Sequence, residues 1–563
     1  MPGGLLNIIA YGNQNIIIHG NPTKTFFKST YLKHTNFGTQ KFRLDYEGSK
    51  EIDLNNDTTY KFKIPRHAEL LLDTYLCLHL PNIWSPIYPP EHEDDIWKPY
   101  EFKWIHNIGT SIIKQVRIMI GSQVIQEYPG EYIKCIAERD FPEDKKKLFD
   151  LMIGEKNQLT EPQLYDIRTP DQYPNAYKSE DLDGQEPSIK ECNLVIPLNE
   201  WFMNSSKLAF PLVCLQYSEL TIEVVLRPVK EIFTTNTVVR YSAEESSTID
   251  NNTKLENLTK RIQPNFTDEI YSMYRFLQPP PTITLEESDY TDKTNSWNID
   301  AHLIANYCFL SKEETLVLAE KEQKYLLKDV KSDVYHNIIG TKKIKLNTNA
   351  LVSSWLWYFC RSDAYLRNEW SNYTNWETIF VPYKLLSGTT GLEYNPTWGN
   401  NLSINPGIEP DNVMTGYNIT PAFSSNNTKY ILKNFSIIID GKYRENDLIS
   451  EILAYIEPYK ASRVSSDSGL YNYNFCLNTT DYLQPSGAIN LSRFKNIEFE
   501  ITTIEPQIDP SYEFLTLCDE NGDIIGVTKD ESMYMYTYNM HLFEERYNVL
   551  RFMSGNAGLL FAR

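Results

Sequence analysis

IKQVRIMIGSQ, running from Ile113 to Gln123, matches LKNFSIIIDGK, from Leu432 to Lys442, position for position and without a gap. In both, an apolar strand enters a turn, at Gly121-Ser122 in the first and at Asp440-Gly441 in the second. An Asp-Gly pair supplies the positive φ angles that a two-residue hairpin turn demands. Downstream of each lies a second matched pair, PLVCLQYSEL at 211–220 and PSGAINLSRF at 485–494, each soon followed by an alternating strand. The two pairs keep the same order, 319 residues apart in the first case and 274 in the second. Solenoid repeats recur every 20–50 residues or so, far more often than this. The spacing predicts one β domain of roughly 200 residues, duplicated in tandem with insertions in its loops.

Strand patterns dominate the rest of the chain. Tyr60, Phe62 and Ile64 alternate with Lys61 and Lys63; Leu76, Leu78 and Leu80 alternate with Cys77 and His79. Leu220, Ile222, Val224 and Leu226 follow the same rule, as do Leu303, Ala305, Tyr307 and Phe309, then Ile497, Phe499 and Ile501. Period-two alternation puts one face on a core and the other toward water or polar neighbours. Helical periodicity holds only in short pieces, at 132–149 and 312–329. A polar segment near 234–296, with three successive prolines at 279–281, reads as a linker or surface insertion, because such a run cannot sit in a central strand. Within it, 271–277 is apolar enough to pack on a domain.

Composition sets the class. With 54 Lys and Arg against 74 Asp and Glu, the 563-residue chain carries a net charge of −20. That argues against a general nucleic-acid binder, which needs a basic face to displace counterions from phosphate. The 41% apolar and 13% aromatic content is ample for a large core, and 38 Tyr with 25 Phe favour strands over long helices. No stretch approaches the roughly 20 apolar residues of a membrane span, and the N-terminus lacks a basic region and cleavage site of the secretory type. The eight cysteines are scattered, with no CxxC pair, and read as reduced core residues.

The search for chemistry singles out nothing. No phosphate-binding Gly-rich loop, HExxH helix or nucleophile elbow occurs. His92, in EHEDD, reads as part of a solvated acidic loop rather than a metal site. Asp519, Asn521 and Asp523 mimic a calcium loop, but Ile524 and Asp530 replace its required Gly and Glu, so a hairpin turn at Asn521-Gly522 is the better reading. Lys145, Lys146 and Lys147 read as a solvated face. Trp355, Trp357, Trp370 and Trp376 could form a sugar platform, though core aromatics look the same. Twelve Asn-x-Ser/Thr sequons, among them Asn257, Asn372 and Asn401, fit a merely Asn-rich chain. No catalytic, cofactor-binding or metal-binding residue is expected. The rival class is a carbohydrate-active β protein, a lectin or glycosidase.

The two ends of the chain, GGLLNIIAYGNQNIIIHGNPTKTFFKSTYLKHTNF at 3–37 and YNVLRFMSGNAGLLFA at 547–562, resemble those of the major capsid proteins of nucleocytoplasmic large DNA viruses, in particular mimivirus-like members. Internal blocks resemble the family too: GSQVIQEYPGEY at 121–132, FPLVCLQYSELTIEV at 210–224 and LQPSGAINLSRF at 483–494. The resemblance implies an all-β double jelly roll, two eight-stranded antiparallel sandwiches with long loop insertions and a few short helices. The expected division is an N-terminal arm at 1–25, a first jelly roll at 26–235, a linker or insertion at 236–295 and a second jelly roll at 296–563, with further loop expansion around 385–430. It also implies a homotrimeric pseudo-hexameric capsomer in an icosahedral virion shell assembled in the host cytoplasm. Neighbouring capsomers, minor capsid and penton proteins and the internal virion membrane are the implied partners, with no cofactor and no direct contact with nucleic acid. The arm, too apolar to be left in water and too short to span a bilayer, is expected to tie a capsomer to its surroundings; the alternative is an added strand on the first sandwich.

Overall fold

A computed structural model describes the chain except for residues 1, 30, 47–50, 89–97, 163–172, 175, 177–184, 237–260, 282–286, 378–391, 395–401, 405–427, 463–468, 510–511, 513–515, 519–523, 528–530 and 562–563. Nine strands build a first sandwich: β1 Phe37–Asp45, β2 Thr58–Ile64, β3 Leu70–Leu80, β4 Ile113–Ile120, β5 Gln123–Tyr128, β6 Cys192–Pro197, β7 Phe210–Pro211, β8 Leu220–Leu226 and β9 His302–Leu310. One sheet runs β1-β9-β3 with β6 and β7 both on the far side of β3; the other runs β2-β8-β4-β5. Nine more build a second: β10 Gln323–Ile338, β11 Thr341–Lys345, β12 Leu351–Arg361, β13 Leu432–Ile439, β14 Lys442–Ile449, β15 Leu470–Asn474, β16 Ile489–Asn490, β17 Ile497–Thr503 and β18 Tyr538–Met553. Its sheets run β10-β18-β12, with β15 and β16 on β12 and a further short strand, Asn556–Leu559, on β18, and β11-β17-β13-β14. Each of these nine strands of the second sandwich holds the place of the strand nine before it, and Asn556–Leu559 has no counterpart among the described residues. With the two-residue β7 and β16 set aside, each unit is an eight-stranded jelly roll.

The matched segments that open the sequence analysis occupy equivalent places, β4-β5 and β13-β14. In the second hairpin Ile439 pairs with Lys442 across Asp440 (φ 48°) and Gly441 (φ 77°), a type I′ turn. In the first, Ile120 pairs with Gln123 and Gly121 takes φ 61°. The downstream pair is equivalent in kind but shifted in detail. Pro211 closes β7 before a 3-10 turn at Leu212–Cys214, and the counterpart is Asn490, which closes β16 before Leu491–Arg493, so the match through Pro485 starts five residues early.

Burial follows the alternation. In β2 Tyr60, Phe62 and Ile64 are buried while Lys61 and Lys63 are exposed, and β17 buries Ile497, Phe499 and Ile501 on one face. Phe309 departs from its expected inward place. The register against β3 slips between Asn306 and Tyr307, and beyond the slip Cys308 is buried while Phe309 turns outward. The expected helix at 312–329 ends at Glu320, and from Gln323 the chain is β10, paired along nearly all of β18. Cross-strand pairing and burial of Leu327 and Val330 override the local helical pattern. The expected helix at 132–149 is two helices, Gly130–Asp140 and Glu143–Met152, because Pro142 has no N–H to give and holds Phe141 extended at φ −80°, ψ 136°.

The expected boundary at 296 also moves. β9 lies between β1 and β3, so the first sandwich takes its last strand from beyond the polar insertion and ends at Leu310. The insertion is tied down as its apolar part predicts: Phe276 is fully buried in the first core and its carbonyl accepts from the Trp84 N–H at 2.8 Å. The 385–430 expansion lies largely outside the described residues.

Candidate assembly surfaces

Two cores hold the chain, and one is shared. The second sandwich closes its own core around Trp355, Trp357, Phe435 and Phe499. The opposite faces of β12 and β18, carrying Leu356, Tyr358 and Phe543, belong instead to the core of the first sandwich. Thus β12 and β18 are buried on both sides, whereas β3 and β9 bury one face and leave Asp73, Tyr75, Cys77, His302, Ile304 and Asn306 half-buried on the other.

The element that covers β12 and β18 is the helix Gly130–Asp140, which leaves the end of β5. Every residue in it except Glu131 is buried. Gly130 starts it because nothing larger fits: a Cβ there would overlap the carbonyl oxygens of Thr110 and Ile113. Tyr132 packs edge-on against Phe543 at 5.4 Å between ring centres, and its hydroxyl donates to Glu545 at 2.9 Å. Arg139, wholly buried, donates through Nη2 to Glu545 at 2.9 Å and through Nε and Nη2 to Asp140 at 2.9 and 2.8 Å. Ser354 on β12 completes the Glu545 shell at 2.5 Å, and Thr479 donates to Asp140 at 2.8 Å. Burial alone would raise the Glu545 carboxyl, but Arg139 and Lys328 outweigh it and hold it at about 2. The ionised lock therefore spans the two sandwiches.

A second seam joins them elsewhere. Asn368 donates from Nδ2 to the carbonyls of Lys230 and Phe233, both at 2.7 Å, and Trp370 donates to Glu231 at 2.9 Å beneath the Arg227 guanidinium. Beside it His541 stacks on Tyr358, and burial lowers its pKa to about 4. At a third point Gln216 and Tyr217 both donate to the Gly555 carbonyl.

The residues weighed as chemical sites end in structural roles. Trp355 and Trp357 are fully buried, and Trp370 is engaged at the seam, so these rings form no sugar platform. Lys146 and Lys147 pair with Glu138 and Glu143, and Lys145 lies over the Phe141 ring. The sequon at Asn372 is closed: its side chain is 4% exposed, its amide donates to the Trp376 carbonyl at 3.0 Å, and its Oδ1 accepts from Thr374. Asn257, Asn401 and His92 lie outside the described residues, as does the Asn521-Gly522 turn. The flanking strands Thr516–Cys518 and Ile524–Val527 pair antiparallel, with Cys518 opposite Ile524. Cys135, Cys308 and Cys476 are buried, and burial pushes each thiol up. Among the described residues no three metal-ligating side chains cluster.

Among the described residues, the N-terminal segment buries no side chain up to the first strand. Gly3–Ile9 and Asn15–His19 are short helices with no buried residue. Ile17 is 86% exposed and Phe27 99%, and the first strand begins only at Phe37. No strand forms at 2–25, so the added-strand alternative is absent.

Two protein families match consecutive parts of the chain: "Major capsid protein N-terminus" over residues 25–278 and "Large eukaryotic DNA virus major capsid protein" over 314–558. The chain is 24% identical to the major capsid protein of Phaeocystis pouchetii virus over the full length of both, and 22% identical to the probable capsid protein 4 of Acanthamoeba polyphaga mimivirus over 94% of this chain and all of the relative. Among solved structures it superposes on PBCV-1 VP54 with a TM-score of 0.59 at 17% identity, covering 96% of this chain and 100% of the other. On the Faustovirus major capsid protein the TM-score is 0.58 at 13% identity, with 98% and 96% covered. The fold, the two consecutive family matches and the full-length relatives agree: the chain belongs to the major capsid proteins of the large eukaryotic DNA viruses, structural proteins that build the virion shell and are not enzymes.

Proposed function

We propose that three copies of this chain form a capsomer of six similar wedges, and that such capsomers tile an icosahedral shell assembled in the host cytoplasm. The observation that carries this reading is the nine-for-nine equivalence of strands in the two sandwiches. Two equivalent wedges per chain give a near-sixfold body from a threefold assembly, and a near-sixfold body fills a hexagonal lattice. We divide the chain functionally into an arm at 1–36, a first wedge ending at Leu310 and a second beginning after the Lys312–Glu320 helix. The exposed apolar arm then reaches below the capsomer to minor capsid or penton proteins or to the face of the internal membrane. The charge of −20 supports contact with proteins rather than with the genome, and the work of the chain is contact, with no catalytic, cofactor or metal residue in it. Sedimentation of the purified protein tests the reading. A species of three times the 65.6 kDa chain mass is expected; a monomer at micromolar concentration that shifts on adding oligosaccharide would favour a lectin instead.

A further inference from the structure

The interface inside the chain has an unfilled twin on its surface. The helix Gly130–Asp140 leaves β5 and seats on the outer face of β10-β18-β12. At the equivalent place in the second sandwich, a helix leaves β14, π-helical over Ile452–Ile456 and α-helical over Glu457–Ala461. It docks on its own sandwich through Leu453, Pro458 and Ala461, which are buried. Its other side carries Tyr455, Ile456 and Tyr459, exposed by 55%, 44% and 90%, beside the half-exposed Ile449. In the first helix Tyr132 and Arg139 meet the second sandwich. The first sandwich in turn presents the outer face of β1-β9-β3, the equivalent of the face that Gly130–Asp140 covers, with Tyr75, Cys77 and Ile304 at its centre. Among the described residues, one molecule thus holds one completed interface, one uncovered helix and one uncovered sheet face.

We propose that the 452–461 helix of each chain seats on the outer face of β1-β9-β3 of a second copy, repeating between chains the contact that Gly130–Asp140 makes within one. The contact is heterologous, helix of one copy to sheet of the next, and such contacts close into rings when the rotation per step divides a full turn. It uses the second wedge's helix to reach the next chain's first wedge, so it rests on the trimeric reading above and names the surfaces that join its members. A π-helical turn, a rare feature frequent at functional sites, spans Ile452–Ile456, which includes the exposed Tyr455 and Ile456.

The test uses the full-length protein. Replacing Ile456 and Tyr459 by Asp, both exposed in the single chain, is expected to leave circular dichroism and the melting temperature of the dissociated chain unchanged. Association should weaken by at least about 30-fold, the effect of losing one strong interface residue. Independently, a photoactivatable benzophenone side chain at position 459, in a mixture of isotopically light and heavy chains, should cross-link to residues 70–80 or 302–310 of a different copy. A wild-type trimer whose I456D/Y459D variant assembles with undiminished affinity, or whose cross-links fall on other segments, overturns the docking while leaving the trimer intact. A wild-type protein that never leaves the monomer overturns the trimer itself.

Discussion

Glu545 is the residue whose loss should matter most to the joining of the two sandwiches. Replacing it by Ala takes the acceptor from three buried donors at once: the Tyr132 hydroxyl, Arg139 Nη2 and the Ser354 hydroxyl. Removing one partner of a buried charged pair costs about 3–5 kcal/mol, because the surviving charge stays out of water. Arg139 keeps Asp140, which limits its own share, but two hydroxyls are orphaned as well, each at about 1–3 kcal/mol. The expected loss is therefore about 3–5 kcal/mol in urea unfolding followed by tryptophan fluorescence. Removing Arg139 in the same chain should cost less than the sum of the two single changes, by about 1–3 kcal/mol. Glu545→Gln, which keeps acceptors for the hydroxyls, should lose less. Its deficit should also depend on pH. The folded carboxyl titrates at about 2, below its unfolded value near 4.3, so its charge stabilises above that range and the contribution fades as pH falls toward 2. A Glu545→Ala protein within about 1 kcal/mol of wild type, or single changes that add without coupling, would refute the view that this lock joins the sandwiches.

Other outcomes follow from the same structure. Deleting residues 1–24 should leave the melting temperature nearly unchanged, since the helices there bury nothing, while particle formation in infected cells fails; an insoluble or strongly destabilised truncation would put the arm in the core. Glu200 is fully buried, and burial raises its carboxyl to about 8 despite the Thr74 hydroxyl that donates to it. The folded state thus keeps a proton that the unfolded state releases near pH 4.3, so stability falls as pH rises toward 8, by up to about 1.4 kcal/mol per unit. Glu200→Gln should remove that slope, which denaturant titrations at pH 5 and pH 8 would measure. Gly130→Ala forces a methyl onto two backbone oxygens and should cost about 3 kcal/mol, with thermal unfolding as the readout.

Duplication was legible because strands of equal role kept their apolar spacing: Val116, Ile118 and Ile120 sit opposite Phe435, Ile437 and Ile439 in the matched segments. The boundary between units was not, because β9 is separated from its sheet partners by more than two hundred residues and nothing local marks it as theirs. The same limit misread 321–329, where LLKDV carries helical spacing but answers to β18 across the sheet. The Arg139–Glu545 lock lay hidden for a related reason: an ion pair between residues 406 apart has no spacing to find. A signal was present, however. Glu544, Glu545 and Arg546 stand together in the middle of a long strand, and charges in a strand buried on both faces must meet partners there. The Trp355-Trp357 alternation pointed to a shared face, and that face is the core.

Burial of β12 and β18 on both sides gives the duplicated halves different freedoms. The first half can exist with its outer sheet face wet, since that face mixes Asp73, Asn306 and His302 with its apolar residues. The second buries its counterpart, where Leu356, Tyr358 and Phe543 lie in the first core and Glu545 meets Tyr132 and Arg139 of the covering helix. The halves have become grammatically distinct, like a word that can begin a sentence and one that can only continue it. A chain built from two first halves would lack the apolar seat that its own internal helix requires, and one built from two second halves would expose such a seat permanently. Recombination between the copies is thereby penalised at the level of folding, and the order of wedges around any assembly is written into each chain before it meets another.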